Sequence, residues 1–339
     1  MLITLTIILL FTQLSIIICN KFDFLINSNG SIHQKFTASD NVPLIGGLII
    51  FLFLLVEINF FNFKVFIFFI FLIGFLSDIK KFNSPKLRLF TQSLLILLFT
   101  YHYEVYLDST NIIILDYFLK YNYFSIIFTS FCIVIIINGS NFMDGINTLV
   151  VGYYLILSGG LYYLSYNGYL VNFNLKLEIL VLMLLCLFVF NFFNKLYLGD
   201  SGSYLLGFIF SVGLIKFYIQ NINISPFFII LLLWYPAFEN LFSIIRKASF
   251  NRSPINPDTN HLHQLIYYYY FKKNFFSTKL LNTTVGVVIN LYNLIIFSIS
   301  LQNIEHSQLQ LLLIFFNISL YVIIYRKLLA FKLGNKHYD

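Results

Sequence analysis

The nine residues KLYLGDSGS (residues 195–203) stand between two apolar runs, residues 180–193 and 204–214. A carboxylate, Asp200, therefore falls where a hydrophobic helix gives way to a turn of small residues. Gly199 and Gly202 allow close backbone approach, and Ser201 and Ser203 add hydroxyls beside the free N–H groups of the next helix start. An acid next to exposed amide donors suits a Mg²⁺–phosphate pair: hard oxygen ligands take the cation and the amides take the anion. Taken alone, the stretch reads first as a polar turn that ends one helix and caps the next, so the surrounding chain has to decide.

Of the 339 residues 59% are hydrophobic and 10% charged, and the mean hydropathy is +0.83. Soluble domains carry about 25% charged residues, so a soluble enzyme is excluded. Apolar runs fall near residues 2–19, 42–58, 62–77, 87–106, 123–138, 148–167, 176–193, 203–220, 225–245, 279–301 and 308–330. Most approach the roughly 20 residues that a bilayer crossing needs. The expectation is an all-α polytopic membrane protein of ten to eleven spans, folded as one domain over residues 1–339. The first run has no charge before Lys21 and no small-residue cleavage site, which reads as a retained helix. Cys19, Cys132 and Cys186 lie in or beside apolar runs without metal spacing and read as small apolar residues.

Eleven spans sort the lysines and arginines unevenly. Lys64, Lys120, Lys176 and Lys216 fall on one side and the other 17 of 21 on the opposite side. The positive-inside rule makes the rich side cytoplasmic, with the N-terminus periplasmic and the C-terminus cytoplasmic. Part of that charge is also what anionic headgroups attract.

Polar motifs collect in the loops on that side, near residues 20–42, 77–88, 138–148, 194–203 and 246–278. The first loop carries HQK (residues 33–35), ending at Lys35, and runs into VPLIGG (residues 42–47). The second, SDIKKFNSPKLR (residues 77–88), puts Asp78 at a helix end with Lys86 and Arg88 behind it. In NGSNFMDGIN (residues 138–147), Asn138, Asn141 and Asp144 follow at intervals of three and share a helix face. Two amides and an acid at a membrane edge are costly unless they bind a ligand or each other. Asn191 and Tyr197 precede Asp200, and Tyr197 is placed to stack on a base. The last loop holds Arg252, Asp258, His261 and His263. No third ligand stands at zinc spacing, and a histidine pair with an arginine suits pyrophosphate oxygens.

VPLIGG, SDIKKFNSPKLR, NGSNFMDGIN, FNFFNKLYLGDSGS and PDTNHLH, in this order between hydrophobic helices, resemble the polyprenyl-phosphate N-acetylhexosamine-1-phosphate transferases. These are bacterial inner-membrane enzymes related to the translocase of peptidoglycan synthesis. The likeness covers roughly residues 30–265. It implies transfer of N-acetylhexosamine-1-phosphate, by default N-acetylglucosamine-1-phosphate, from a UDP-sugar to undecaprenyl phosphate, with release of UMP. That is the first membrane step of a surface polysaccharide of the O-antigen, capsule or teichoic type. By the same likeness Asp200 ligates Mg²⁺, with Mn²⁺ as a substitute, and Asp78 sits by the lipid phosphate with Lys35 and Lys86. Asn138, Asn141, Asp144 and Asn191 line the nucleotide site with Tyr197 under the uracil, and Arg252, Asp258, His261 and His263 close over the pyrophosphate and sugar. Asp78, Asp144, Asp200, His261 and His263 form the expected catalytic set.

The expected partners are undecaprenyl phosphate, a UDP-N-acetylhexosamine and the bilayer, with no nucleic acid; the likeness permits a homodimer. Two positions depart from the family: Ser77 stands where an Asp usually precedes Asp78, and Asn147 replaces another Asp. The alternatives are a polyprenyl-lipid transporter or flippase, and an inactive family member.

Overall fold

A computed structural model of the chain describes residues 2–26, 42–57, 61–171, 176–221, 223–249, 258–275 and 278–335. Lys35 and Arg252, expected at the substrate, lie outside the described residues. Fourteen helices are described: α1 (Leu2–Lys21), α2 (Gly46–Glu57), α3 (Phe61–Asp78), α4 (Pro85–Tyr103), α5 (Ile113–Leu119), α6 (Asn122–Met143), α7 (Leu149–Tyr166), α8 (Leu177–Phe192), α9 (Gly199–Gln220), α10 (Pro226–Leu232), α11 (Trp234–Ser249), α12 (Leu262–Lys272), α13 (Thr278–Leu301) and α14 (Ser307–Asn335). Among the described residues there is no strand; a single bridge joins Ile26 to Pro43.

Each of the eleven apolar runs contains a helix, but fewer helices than expected are long and apolar enough to cross a membrane. Among the described residues six qualify, or seven if one bent pair is counted as a span. Local features account for several of the other runs. α2 and α8 have 12 and 16 residues, and α4 opens on Pro85, Lys86 and Arg88. The run near 225–245 is broken: α10 and α11 meet at 74°. Pro236, in the first turn of α11, has no N–H for the Leu232 carbonyl. That carbonyl is taken instead by the Tyr153 hydroxyl at 2.7 Å, so the break costs no buried acceptor.

α9 is the axis of the bundle. It is buried along nearly its whole length and packs against α2, α3 and α6. Lipid tails are as apolar as leucine, so close helix contact in a membrane depends on small residues. A Cβ on Gly207 would stand 2.8 Å from the Ile137 Cα of α6. α1 and α14 are mostly exposed along their spans, as lipid-facing helices are. The C-terminal ends of α3, α6 and α8 and the N-terminal ends of α4, α7, α9 and α12 meet at one end of the bundle. Lys64, Lys176 and Lys216 stand towards the opposite ends of their helices.

Candidate active site

Asp200 opens α9, and its carboxylate is held from three sides. Arg88 Nη1 lies 2.6 Å from Oδ2, the Ser77 hydroxyl donates to Oδ2 at 2.5 Å, and Asn141 Nδ2 donates to Oδ1 at 2.7 Å. Arg88 also donates to the Ser77 hydroxyl. Ser77, at the family's missing acid, therefore joins Arg88 to Asp200 without adding a second negative charge. The Nε of Arg88 is buried and has no partner among the described residues, leaving a guanidinium donor for an anion.

Asp78 ends α3 and caps α9 from outside. Its Oδ1 accepts from Asp200 N at 2.7 Å, and its Oδ2 accepts from Ser201 N at 3.1 Å and Ser201 Oγ at 2.6 Å. A negative group on the first turn of a helix satisfies orphan N–H groups and faces the positive end of the dipole. The arrangement requires glycine at 199 on two counts. Its φ is +76°, and a Cβ there would stand 2.8 Å from Asp78 Oδ2.

Asp144 follows the last turn of α6, where it accepts from the Gly199 N–H. Burial pushes its carboxyl well above the usual carboxylate range. The nearby charges of Asp200 and Asp78 push the same way, and only the Gly199 hydrogen bond opposes them. Asp78, Asp144 and Asp200 thus crowd together, with Arg88 paired to Asp200.

The remaining residues of the third loop have other partners. Asn138 donates to Gln92 Oε1 of α4 and to the Val134 carbonyl, both at 3.0 Å, so it does not reach the acids despite its spacing. Asn191 accepts from Thr148 N at 2.5 Å and donates to the Leu196 carbonyl at 2.9 Å. It pins the 147–148 turn to the 196–198 segment. Asn147, in place of the family acid, donates to Asn194 Oδ1. Lys86 is exposed; Arg88, two residues on, is what the sequence reading passed over for the site.

Leu44, Asp144, Gly145, Ile146, Asn147, Asn191, Tyr197 and Leu198 line a small cleft. Tyr197 is thereby brought beside Asp144, and Asp144 belongs to both the cleft and the acid cluster.

The histidine segment abuts this cleft. The rings of Phe142 and His261 are 5.3 Å apart, and a Cβ on Gly145 would stand 2.7 Å from His263 Nε2. The Asp144 and His261 segments therefore lie at the same end of the bundle, as expected. His261 Nδ1 is 2.8 Å from Glu239 Oε1, and its Nε2 is 3.4 Å from Asp258 Oδ1. Asp258 pairs with Arg246 through both guanidinium nitrogens. Burial alone would raise the Asp258 carboxyl; the hydrogen bonds from Arg246 and the nearby charge of His261 outweigh it and hold the carboxyl below its usual range. Burial pushes His263 down to about 3, against the opposing pull of Glu239. His263 is therefore a neutral imidazole at neutral pH.

Among the described residues, no three or more His, Cys, Asp or Glu side chains are grouped as a metal cage. Mg²⁺ does not need one. It takes one or two carboxylates and completes its shell with water and substrate phosphate. Asp144 at the cleft, with the Asp200 and Asp78 carboxylates close by, is a set of oxygen donors that a divalent cation fits.

Residues 63–218 match glycosyl transferase family 4. The chain is 29% identical over 100 residues to the undecaprenyl-phosphate alpha-N-acetylglucosaminyl 1-phosphate transferase of Thermotoga maritima, covering 30% of this chain and 32% of that one. It is 31% identical over 163 residues to the decaprenyl-phosphate N-acetylglucosaminephosphotransferase of Mycolicibacterium smegmatis, covering 41% and 39%. It is 33% identical over 135 residues to a probable undecaprenyl-phosphate N-acetylglucosaminyl 1-phosphate transferase of Bacillus subtilis, covering 39% and 37%. The matches span about a third to two fifths of the length of these relatives.

Proposed function

We propose, from the match of residues 63–218 to glycosyl transferase family 4, that the chain is a member of that family and transfers N-acetylhexosamine-1-phosphate from a UDP-sugar to undecaprenyl phosphate, releasing UMP. N-acetylglucosamine is the default sugar, and initiation of a surface polysaccharide is the proposed setting. The site would face the cytoplasm of a bacterial inner membrane, which accords with the excess of lysine and arginine at that end. The observation that carries the reading is the crowding of Asp78, Asp144 and Asp200 beside Arg88, next to an open cleft.

Phosphoryl transfer is catalysed mainly by alignment and neutralisation of charge. Asp200 and Asp144 would hold Mg²⁺, or Mn²⁺ in its place, and the bound cation would neutralise charge on the transferring phosphoryl group. Arg88, through the guanidinium edge that carries its unpartnered Nε, would take the lipid phosphate. Asp78 fixes the first turn of α9 and so the position of Asp200. The side chain of Tyr197 would face the uracil at the cleft wall. Ser77 cannot serve as a base, and none is required: a phosphate monoester has a second pKa of about 6 and is largely dianionic at pH 7. The lipid phosphate oxygen would attack the β-phosphorus, the bond to the UMP oxygen would break, and UMP would leave with that electron pair.

The test is UMP release from a panel of UDP-sugars by the purified full chain, with undecaprenyl phosphate and Mg²⁺ in bilayers. Release with at least one UDP-N-acetylhexosamine, dependent on both additions, is expected. No release from any member of the panel would overturn the reading in favour of an inactive relative or a lipid transporter.

A further inference from the structure

The last helix, α14, lies wholly outside the segment matched to the family, yet it reaches the histidine segment twice. The Tyr321 hydroxyl donates to Glu239 Oε2 at 2.8 Å, and the other oxygen of that carboxylate faces His261 Nδ1. Further along the helix, Lys332 Nζ donates to the Thr259 carbonyl and to Asn260 Oδ1, each at 2.8 Å. Glu239 is 1% exposed, and a buried carboxylate persists only with partners of this kind. Carboxylates thus face both ring nitrogens of His261, one from α11 and one from Asp258.

His263 has the opposite environment. It is fully buried, and neither ring nitrogen has a partner among the described residues. Its Nε2 faces Gly145, which lines the cleft. A buried polar group left unsatisfied is costly, so a buried imidazole aimed at a cleft is a ligand-facing group. The two rings stack with centroids 5.7 Å apart and planes 13° from parallel, which couples the direction of one to the other. His261 also opens α12, where Gln264 Oε1 accepts its backbone N–H at 3.2 Å.

We propose that Glu239 and Tyr321 are positioning residues: with Lys332 they clamp His261, and the clamped His261 aims His263 past Gly145 at the pyrophosphate–sugar end of the nucleotide donor. This rests on the transferase reading above. The two histidines then divide the work, His261 as the pin and His263 as the group that meets the donor. α14 becomes part of the site although it contributes no atom to the cleft. In the competing account, the Tyr321–Glu239–His261 chain only holds α11, α12 and α14 together.

The test uses the full chain in bilayers with undecaprenyl phosphate, Mg²⁺ and the UDP-sugar it turns over. Tyr321→Phe removes one oxygen and Glu239→Gln removes one charge. Loss of an orienting outer partner of this kind costs about 10–100-fold, and that fall is expected in kcat/KM for the UDP-sugar, per folded molecule. The KM for undecaprenyl phosphate should stay within about twofold. In the ¹⁵N-histidine spectrum of the full chain, Tyr321→Phe should shift the signals of both His261 and His263. Wild-type kcat/KM in folded Tyr321→Phe, or a spectrum in which only His261 moves, would overturn the proposal. If the wild-type chain releases no UMP, the transferase reading fails, and the spectrum alone still decides whether Tyr321 governs His263.

Discussion

The acid cluster at the start of α9 and the histidine segment before α12 lie at the same end of the bundle, but their charges are arranged differently. Around Asp258, His261 and Glu239, acids and bases alternate: Arg246, Asp258, His261, Glu239, with the Tyr321 hydroxyl closing the row. Around Asp200, three carboxylates crowd together and only that of Asp200 is paired with Arg88. A balanced row is satisfied by the protein itself and serves to hold a shape. An unbalanced cluster asks for a cation and an anion from outside, and reactive chemistry is expected there.

This contrast can be broken experimentally, first at the acids. Asp200→Asn should lower turnover about a thousandfold or more, because charge stabilisation is the main source of rate in phosphoryl transfer. Substantial UMP release at raised Mg²⁺ would remove Asp200 from the metal. Arg88→Lys keeps the charge but loses the planar fork, and a fall in kcat of about 10–100-fold is expected. A rate equal to wild type would mean that Arg88 serves only to hold Asp200.

The Asp258–Arg246 pair, within the balanced row, should show itself in stability. The Asp258 carboxyl is lowered in the folded protein, so its stabilisation is present above the unfolded value of about 3.9. That stabilisation is lost as pH falls through the folded value. Protease protection of residues 258–272 should therefore drop below about pH 4 in wild type. Asp258→Asn should abolish that pH step; a step of unchanged size in this variant would remove the Asp258–Arg246 pair as its cause. The smallest effect is expected at Ser77→Asp, which restores the family acid. Turnover at pH 7 should stay within about threefold of wild type, because the acceptor phosphate is already mostly dianionic. A large gain would show that the chain lacks a base it needs.

Much of this site was readable in advance because polar motifs in a very apolar chain have few places to go. Asp78, Asp144 and Asp200 were found as acids at helix ends, and they do converge. Spacing along the chain does not separate Lys86 from Arg88, because it does not say which side of a helix faces inward. Residues two apart on α4 point about 200° apart, and only the docking of α4 on α3 and α6 decides between them. Asn138 was placed with Asn141 by the same helical interval, but α4 lies close enough to claim its amide. Glu239 had a signal, a lone acid within an apolar run, and Pro236 had one for the break between α10 and α11. The Tyr321 and Lys332 contacts have none, since a tyrosine within an apolar run and a lysine near a helix end are both ordinary in a membrane helix.

By itself the sequence determined that the chain is helical and membrane-embedded, because 59% hydrophobic content in long runs leaves the backbone no other way to satisfy its hydrogen bonds in lipid. It also determined which turns carry polar groups. Only the tertiary structure decided which of those groups share a charge balance. Asp200 meets Ser77 across 123 residues and Glu239 meets Tyr321 across 82, and the strength of such contacts depends on distance and burial, neither of which is written along the chain.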